Sequence, residues 1–349
     1  MSFPFGGDRS FFRSGRFGKP NALFPKRKQI DSEQASIFRS RRTIRGTGEG
    51  AGLRMEALEP RYLLSADPAP FLVDMGEDGT ELSLRYDSLT ESISVISKET
   101  GNQLGHRLVQ EMTLVRVQGT SGDDVLELDF SDGFVFPVEV EFMGEGGMDT
   151  VMLSGGSGDS VTLGATGQGE GRVDLMGADG SAAINLSGVE HVMDATSADS
   201  RVMEDRTDMG NSFRISGGDG QTRVTSVDGA LLDYSFTAPG DRFTLNAGDG
   251  DDDIAYDSVD QTAVGKVLVA GGAGTDGLTG PPSDTVWNLT GHNTGDVEGI
   301  AFVGVENLIG QADNEDVFVV GAEGRLDGTM DGGDAGFDTI NGGAGNDTI

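Results

Sequence analysis

The last stretch of the chain, residues 333–349, constrains its fold more than any other. It reads GDAGFDTIN followed by GGAGNDTI, two nine-residue units in register. Glycine recurs at Gly333 and Gly342 and again at Gly336 and Gly345, with Gly343 filling the second position of the second unit. Aspartate recurs at Asp338 and Asp347, and a large aliphatic at Ile340 and Ile349. Glycine at these positions lets the backbone take positive φ and turn tightly, so that carbonyl oxygens and a carboxylate converge on one point. Convergent oxygens suit Ca²⁺, a hard cation that takes about six to eight of them. The last residues of each unit are free to form a short strand, its aliphatic pointing into a stack and its neighbours pointing out. A single unit can neither close a cation site nor bury its own aliphatic, so roughly three or more must stack. Two tandem copies, the second stopping at Ile349, lead to the expectation that these residues are the front of something longer.

The pattern resembles the repeats-in-toxin (RTX) nonapeptide of calcium-binding β-rolls. The resemblance implies a β-roll over residues 321–349 with Ca²⁺ at Gly333, Gly336, Asp338, Gly342, Gly343, Gly345 and Asp347. The same frame recurs upstream in solitary copies. GTSGDDVLE carries Gly119, Gly122 and Asp124; GEGGMDTVM carries Gly144, Gly147 and Asp149; AGDGDDDIA carries Ala247, Gly250 and Asp252. GGAGTDGLT matches in full, with Gly271, Gly272, Gly274 and Asp276. By the same resemblance these four aspartates and the glycines Gly271, Gly272 and Gly274 are candidate calcium ligands. Two further turns depart from the frame: GGDGQTRVT has Thr222, and GGSGDSVTL has Ser160, where the aspartate belongs.

The sixth-position aspartates Asp124, Asp149, Asp252 and Asp276 lie 25, 103 and 24 residues apart, so they are not adjacent turns of a nonapeptide roll. Recurrence at about 25 residues suits an all-β parallel β-helix or β-solenoid with longer coils over residues 119–320. Short alternating runs such as Val138–Phe142, Val173–Leu175, Phe213–Ile215, Phe243–Leu245 and Val267–Val269 supply its strands. A β-sandwich of the same strands is the alternative. Residues 71–118 read as a short β-rich segment with room for one short helix between Leu104 and Met112. An internal echo, Ser187-Gly-Val-Glu-His-Val192 against Val303-Gly-Val-Glu-Asn-Leu308, supports repetition, and reads as a polar ladder of Glu306 and Asn307. The turn after the second copy, residues 310–316, has Asp313 where a glycine belongs.

Charge divides the chain. Residues 1–54 hold 12 Lys/Arg against 4 Asp/Glu, and the remainder holds 13 against 54. An acidic body repels itself when compact, and bound cations relieve that repulsion. The basic leader, residues 1–52, interleaves arginines with phenylalanines. It reads as disordered, with nucleic-acid binding not expected because no folded nucleic-acid motif follows it. Within residues 53–70, the string Leu58-Glu-Pro-Arg-Tyr-Leu-Leu-Ser65 resembles the LEPR-XLL motif near the N-terminus of large repetitive bacterial exoproteins, which implies an export or processing role. There is no cysteine, no run long and apolar enough to span a membrane, and no apolar signal-peptide core. Export by a non-Sec route is the expectation.

For catalysis the sequence offers little. His106, His191 and His292 are scattered without an HExxH string, and neither a nucleophile elbow nor a P-loop is present. Acid pairs such as Asp123/Asp124 and Asp251/Asp252 suit the carboxylate chemistry of a carbohydrate-active β-helix, yet 58 acids produce such pairs by chance. The sequence therefore predicts a non-enzymatic, calcium-binding, secreted or cell-surface repeat protein with an adhesive or structural role, partnered by cell-surface or matrix components. The alternative is part of a secreted carbohydrate-active or hydrolytic enzyme.

Overall fold

The structure, a computed structural model, describes residues 67–76, 79–237, 240–260 and 262–342. The leader, nearly all of the LEPR-XLL-like element, and Gly343, Gly345 and Asp347 lie outside them. The chain enters through β1 (Ala69–Asp74) and β2 (Glu81–Asp87), then a hairpin of β3 (Ser92–Ser97) and β4 (Gln103–Leu108). The helix allowed near Leu104 is only a single 3-10 turn, Val109–Glu111. β5 (Met112–Gln118), β6 (Val125–Asp129) and β7 (Glu139–Met143) follow. β8 (Thr150–Gly167) and β11 (His191–Asp205) are long, with β9 (Glu170–Gly177) and β10 (Gly180–Ser187) between them. β12 (Ser212–Gly218), β13 (Gln221–Ser226), β14 (Asp233–Thr237), β15 (Arg242–Asn246) and β16 (Asp253–Tyr256) lead to β17 (Val267–Ala270) and β18 (Gly277–Thr279). The last strands are β19 (Val286–Gly291), β20 (Thr294–Val297), β21 (Ile300–Val303), β22 (Asn307–Ile309), β23 (Val317–Val320), β24 (Met330–Asp331) and β25 (Thr339–Gly342).

Among the described residues, all 25 strands belong to one hydrogen-bonded network. Its pairings resolve into two stacks. One runs β1-β5-β7-β10-β9-β8-β11-β15-β17-β21-β20-β19-β23-β25. The other runs β4-β3-β2-β6-β8-β11-β14-β13-β12-β16-β18-β22-β24. β8 and β11 belong to both, because each bends from the second stack into the first; β8 does so at Gly155 and Gly156, whose φ values are 67° and 68°. Antiparallel hairpins are inserted at intervals, but most pairings are parallel. This is an all-β architecture consistent with a β-solenoid, and its parallel registry is not that of the β-sandwich held as the alternative, which needs antiparallel sheets. The segment read apart as 71–118 is continuous with the rest: its β5 pairs with β7 in the first stack and its β2 with β6 in the second.

Alternation decides which side chains fill the interior. Leu126, Val151, Val192 and Tyr234 stand in one parallel register, as do Phe243, Val267 and Ile300, and all are buried. The two stacks face each other: Phe236 of β14 lies 4.5 Å, ring to ring, from Phe243 of β15. The GGSGDS and GGDGQT stretches are not coil turns at all. The first is the bend of β8, and the second is the β12–β13 hairpin, which places Thr222 inside. Their missing aspartates are thus explained by position.

Candidate functional site

The glycine–aspartate turns sit where the chain passes from one stack to the other. Asp124 and Asp149, 25 residues apart, are neighbours on consecutive coils: the amide of Asp124 donates to Asp149 Oδ1 at 2.8 Å. The amide of Thr80 donates to Asp124 Oδ1 at 2.8 Å, and that of Asp149 to Glu190 Oε2 at 2.7 Å. The result is a ladder from Thr80 through Asp124 and Asp149 to Glu190. A second ladder repeats it from Asn211 through Asp252 and Asp276 to Glu306, with amide-to-carboxylate distances of 2.7, 2.9 and 2.9 Å. The aspartate before each ladder's first Asp works sideways: Asp123 Oδ1 accepts from the Met148 amide and Asp251 Oδ1 from the Thr275 amide, both at 2.8 Å.

These ladders are one device used twice, each ending at the Gly-Val-Glu corner that the sequence echo marks. Gly188 and Gly304 both have φ of 64°, and the valines after them are fully buried. A glutamate is needed at the corner because the turn there is shorter, and its longer side chain reaches the amide that an aspartate reaches elsewhere. Asn307 adds to the ladder, its Oδ1 accepting from the Thr329 amide at 3.1 Å. A third, shorter ladder lies on the opposite edge, in turns running from the second stack to the first. There the Asp316 amide donates to Asp338 Oδ1 at 3.0 Å, and the Glu315 amide to Asp284 Oδ1 at 2.9 Å. Asp313 adopts φ of 62°, matching Ala335 at 66° in the same place on the next coil.

The first-position glycine has a steric origin. A Cβ on Gly144 would collide with the carbonyl oxygen of Gly188 on the next coil and with Asp149 Oδ2, and one on Gly271 with the carbonyl oxygen of Gly304 and with Asp276 Oδ2. At the 332–338 turn the covered glycine is Gly332, one residue before the frame's first position, and Asp338 folds over it. Asp149, Asp276 and Asp338 thus each have one oxygen spent on the neighbouring coil and one turned back over their own turn, whereas the turn of Asp252 carries Ala247 at the first position.

The second oxygens differ in their fate. Asp124 Oδ2 is satisfied by the amide and hydroxyl of Thr120, at 2.6 and 2.8 Å. The Oδ2 atoms of Asp149, Asp252 and Asp276 are buried and have no hydrogen-bond partner. Burial, with Glu190 and Asp124 nearby, pushes the Asp149 carboxyl up to about 6; burial, with Asp276 and Asp205 nearby, pushes Asp252 up to about 7. Asp276 and Asp316 are raised for the same primary reason. A buried carboxylate without a donor is costly in its charged form. Comparison with protein-family models, curated proteins and solved structures finds no match. What these turns do must be read from their own geometry.

Among the described residues, no three His, Cys, Asp or Glu side chains gather as a ready-made metal cage. The candidate residues instead fall in separate places: Asp124 with Asp149, Asp252 with Asp276 (and Gly271, Gly272 and Gly274 in the turn of Asp276), and Gly333, Gly336 and Asp338 on the other edge. The gap between the first two pairs is filled by the inserted hairpins. Glu190 and Glu306 close the ladders and escaped the frame because they are glutamates outside a glycine repeat. Asp124 and Asp252, paired in sequence with other acids, each spend Oδ1 on a backbone amide of the neighbouring coil. His191, pushed down to about 4 by burial and by Arg223, is neutral at pH 7 and is hydrogen-bonded to Ser235 Oγ at 2.8 Å.

Removing one of the two donors to Asp124 Oδ2, a hydroxyl that also accepts from the Gly122 amide at 3.1 Å, tests how much the satisfied copy contributes. Thr120→Val deletes the hydroxyl that Asp124 Oδ2 accepts. It is expected to destabilise the chain by about 1–3 kcal/mol, read from the urea midpoint, and an unchanged midpoint would contradict the account.

Proposed function

We propose that this chain is a calcium-ordered structural or adhesive segment of a secreted or cell-surface repeat protein, with its glycine–aspartate turns acting as the cation-responsive element. The observation that carries this reading is the set of three buried, partnerless carboxylate oxygens on Asp149, Asp252 and Asp276. The residues fit a hard divalent cation: the free donors are carboxylate oxygens set among glycine turns whose backbone carbonyls lie close by. Asp124, already satisfied by Thr120, fits less well. When bound, Ca²⁺ supplies positive charge where burial and neighbouring acids make the carboxylates costly. The protein's own part is to hold each Oδ1 on a backbone amide, which fixes the carboxylate and leaves Oδ2 in place. An RTX-like β-roll belongs to this reading at residues 333–342, where the turn stacks on residues 310–316.

The acidic body gives the reading its biological sense. Chain that is poor in cation repels itself and stays extended; where calcium is abundant, binding free energy becomes folding free energy. No helix among the described residues is long and apolar enough to cross a membrane. Calorimetric calcium titration of the full chain tests the proposal against the triple variant Asp149→Asn, Asp252→Asn, Asp276→Asn. The wild type is expected to bind calcium with a rise in melting temperature, and the variant to lose most of both. Calcium binding of equal strength and stoichiometry in the variant would refute the assignment.

A further inference from the structure

The duplication of the ladders also duplicates a groove. Beside the first ladder lies an open cavity of about 530 Å³ lined by Gln118, Gly119, Thr120, Ser121, Glu145 and Gly146. Beside the second lies one of about 460 Å³ whose lining includes Asn246, Gly248, Asp249, Gly272 and Ala273. Superposing the turns GTSGDD on AGDGDD and GEGGMD on GGAGTD makes these the same positions: Gln118 matches Asn246, Thr120 matches Gly248, Ser121 matches Asp249, and Glu145 and Gly146 match Gly272 and Ala273. Glu145 and Gly272 both hold positive φ, 74° and 114°, which turns the backbone away and opens the groove. The match extends to the primary amide at the rim, from Gln118 or Asn246; each groove also carries a carboxylate, but from different positions, Glu145 in the first and Asp249 in the second.

We propose that the two grooves are equivalent subsites for a neutral, hydroxyl-rich polysaccharide. An amide both donates and accepts, and a carboxylate accepts from two hydroxyls, so together they suit a sugar ring. In the first groove the Gln118 amide already donates to Glu145, which holds both groups in place. An anionic polymer meets carboxylates in both grooves and an acidic body around them. A cationic one finds a single carboxylate in the first groove but Asp205, Asp208 and Asp249 beside the Arg206 guanidinium in the second, so the two grooves do not share a cation site. Both volumes fall in the usual range for small-ligand sites, but the grooves are open and polar, so one subsite alone binds weakly. Repetition compensates. Six strand steps separate β5 from β15, and at about 4.8 Å per step the subsites lie roughly 29 Å apart along the stack, a span that a polymer bridges and a monosaccharide does not. The proposal rests on the grooves and not on calcium.

Affinity electrophoresis of the full chain through gels containing dextran, mannan or hydroxyethyl cellulose tests it, with alginate and polylysine as the anionic and cationic comparisons. Retardation by at least one neutral polysaccharide is expected. Gln118→Ala or Asn246→Ala alone should weaken it about tenfold through lost bivalency, and the double variant should abolish it while circular dichroism stays unchanged. Run in chelator as well as in calcium, the gels separate this proposal from calcium-coupled folding. No retardation by any of the three neutral polymers in calcium would overturn the proposal. Retardation that survives the double variant would overturn it too, and retardation by polylysine alone would assign the grooves to a cationic partner instead.

Discussion

Asp194→Ala is expected to cost about 3–5 kcal/mol, the range for breaking a buried ion pair by removing one partner. Arg201 and Asp194 are both fully buried where β11 bends between the two stacks, and Arg201 Nε donates to Asp194 Oδ2 at 2.7 Å. The guanidinium is otherwise spent on the chain itself, donating to the carbonyls of Ala198 at 3.0 Å and Thr196 at 2.6 Å. The other carboxylate oxygen accepts from the amide and hydroxyl of Thr196, and Tyr234 Oη donates to Asp194 Oδ2 at 3.0 Å. Truncating Asp194 strands a charged guanidinium, a phenol and the amide and hydroxyl of Thr196 in the core; the Arg201→Met, Asp194→Leu double variant removes the unpaired charge, leaves only neutral groups unpaired, and is expected to recover part of the loss. Because stacked coils need not unfold together, hydrogen exchange in β11 and β15 should accompany the urea midpoint. A single variant costing below about 1 kcal/mol, or a double variant no better than Asp194→Ala, would show that the cluster does not pin the bend.

Gly272→Ala should be comparably severe, for a backbone reason. Gly272 has φ of 114°, and a Cβ there would meet the carbonyl oxygen of Gly248 on the adjacent coil. Left-handed strain of about 1–3 kcal/mol adds to about 1–3 kcal/mol for pushing the coils apart. Gly146→Ala is the control, since that glycine has nothing within 4 Å of the added atom and no positive φ; it should shift stability by less than about 1 kcal/mol. Equal effects at the two positions would mean that coil contact at the turns is not tight.

The contrast between those glycines marks how far the sequence carries. All-β structure and a coil of about 25 residues were legible, because period-2 alternation and the spacing of Asp124 from Asp149 are local signals. The reason for the first-position glycine was not: in sequence Gly144 reads as a turn former, whereas the geometry makes it the seat of an aspartate five residues on. Four aspartates in one frame gave no hint that the first is satisfied by Thr120 and the others are not, since that depends on which residue follows the glycine. Position also outweighed pattern at Thr222 and Ser160, where the glycine-rich strings form a hairpin and a bend. Arg201 and Asp194 carry no motif, and only the path of β11 between two stacks brings them together.

The most direct test of the account is the pH dependence of thermal melting of the full chain in chelator, beside the Asp149→Asn, Asp252→Asn, Asp276→Asn variant. Asp149 and Asp252 have folded-state values raised to about 6 and about 7 from 3.8. Well below the unfolded value of 3.8 both folded and unfolded chains hold these protons, so no stability is lost. As pH rises from about 4 to about 7 the unfolded chain loses them first, stability falls, and above pH 7 the loss is complete. His191, depressed to about 4, works in the opposite direction between about 4 and 6.5. It is present in both proteins and cancels in their difference. With solvent screening discounted, each carboxylate amounts to roughly 1–2 kcal/mol, so the variant should melt about 5–10 °C above the wild type at pH 8 and near it at pH 4. Calcium at pH 8 should then close the gap by raising only the wild type. A gap that does not change with pH, or calcium that raises both proteins equally, would contradict the claim that buried carboxylates at the turns await a cation.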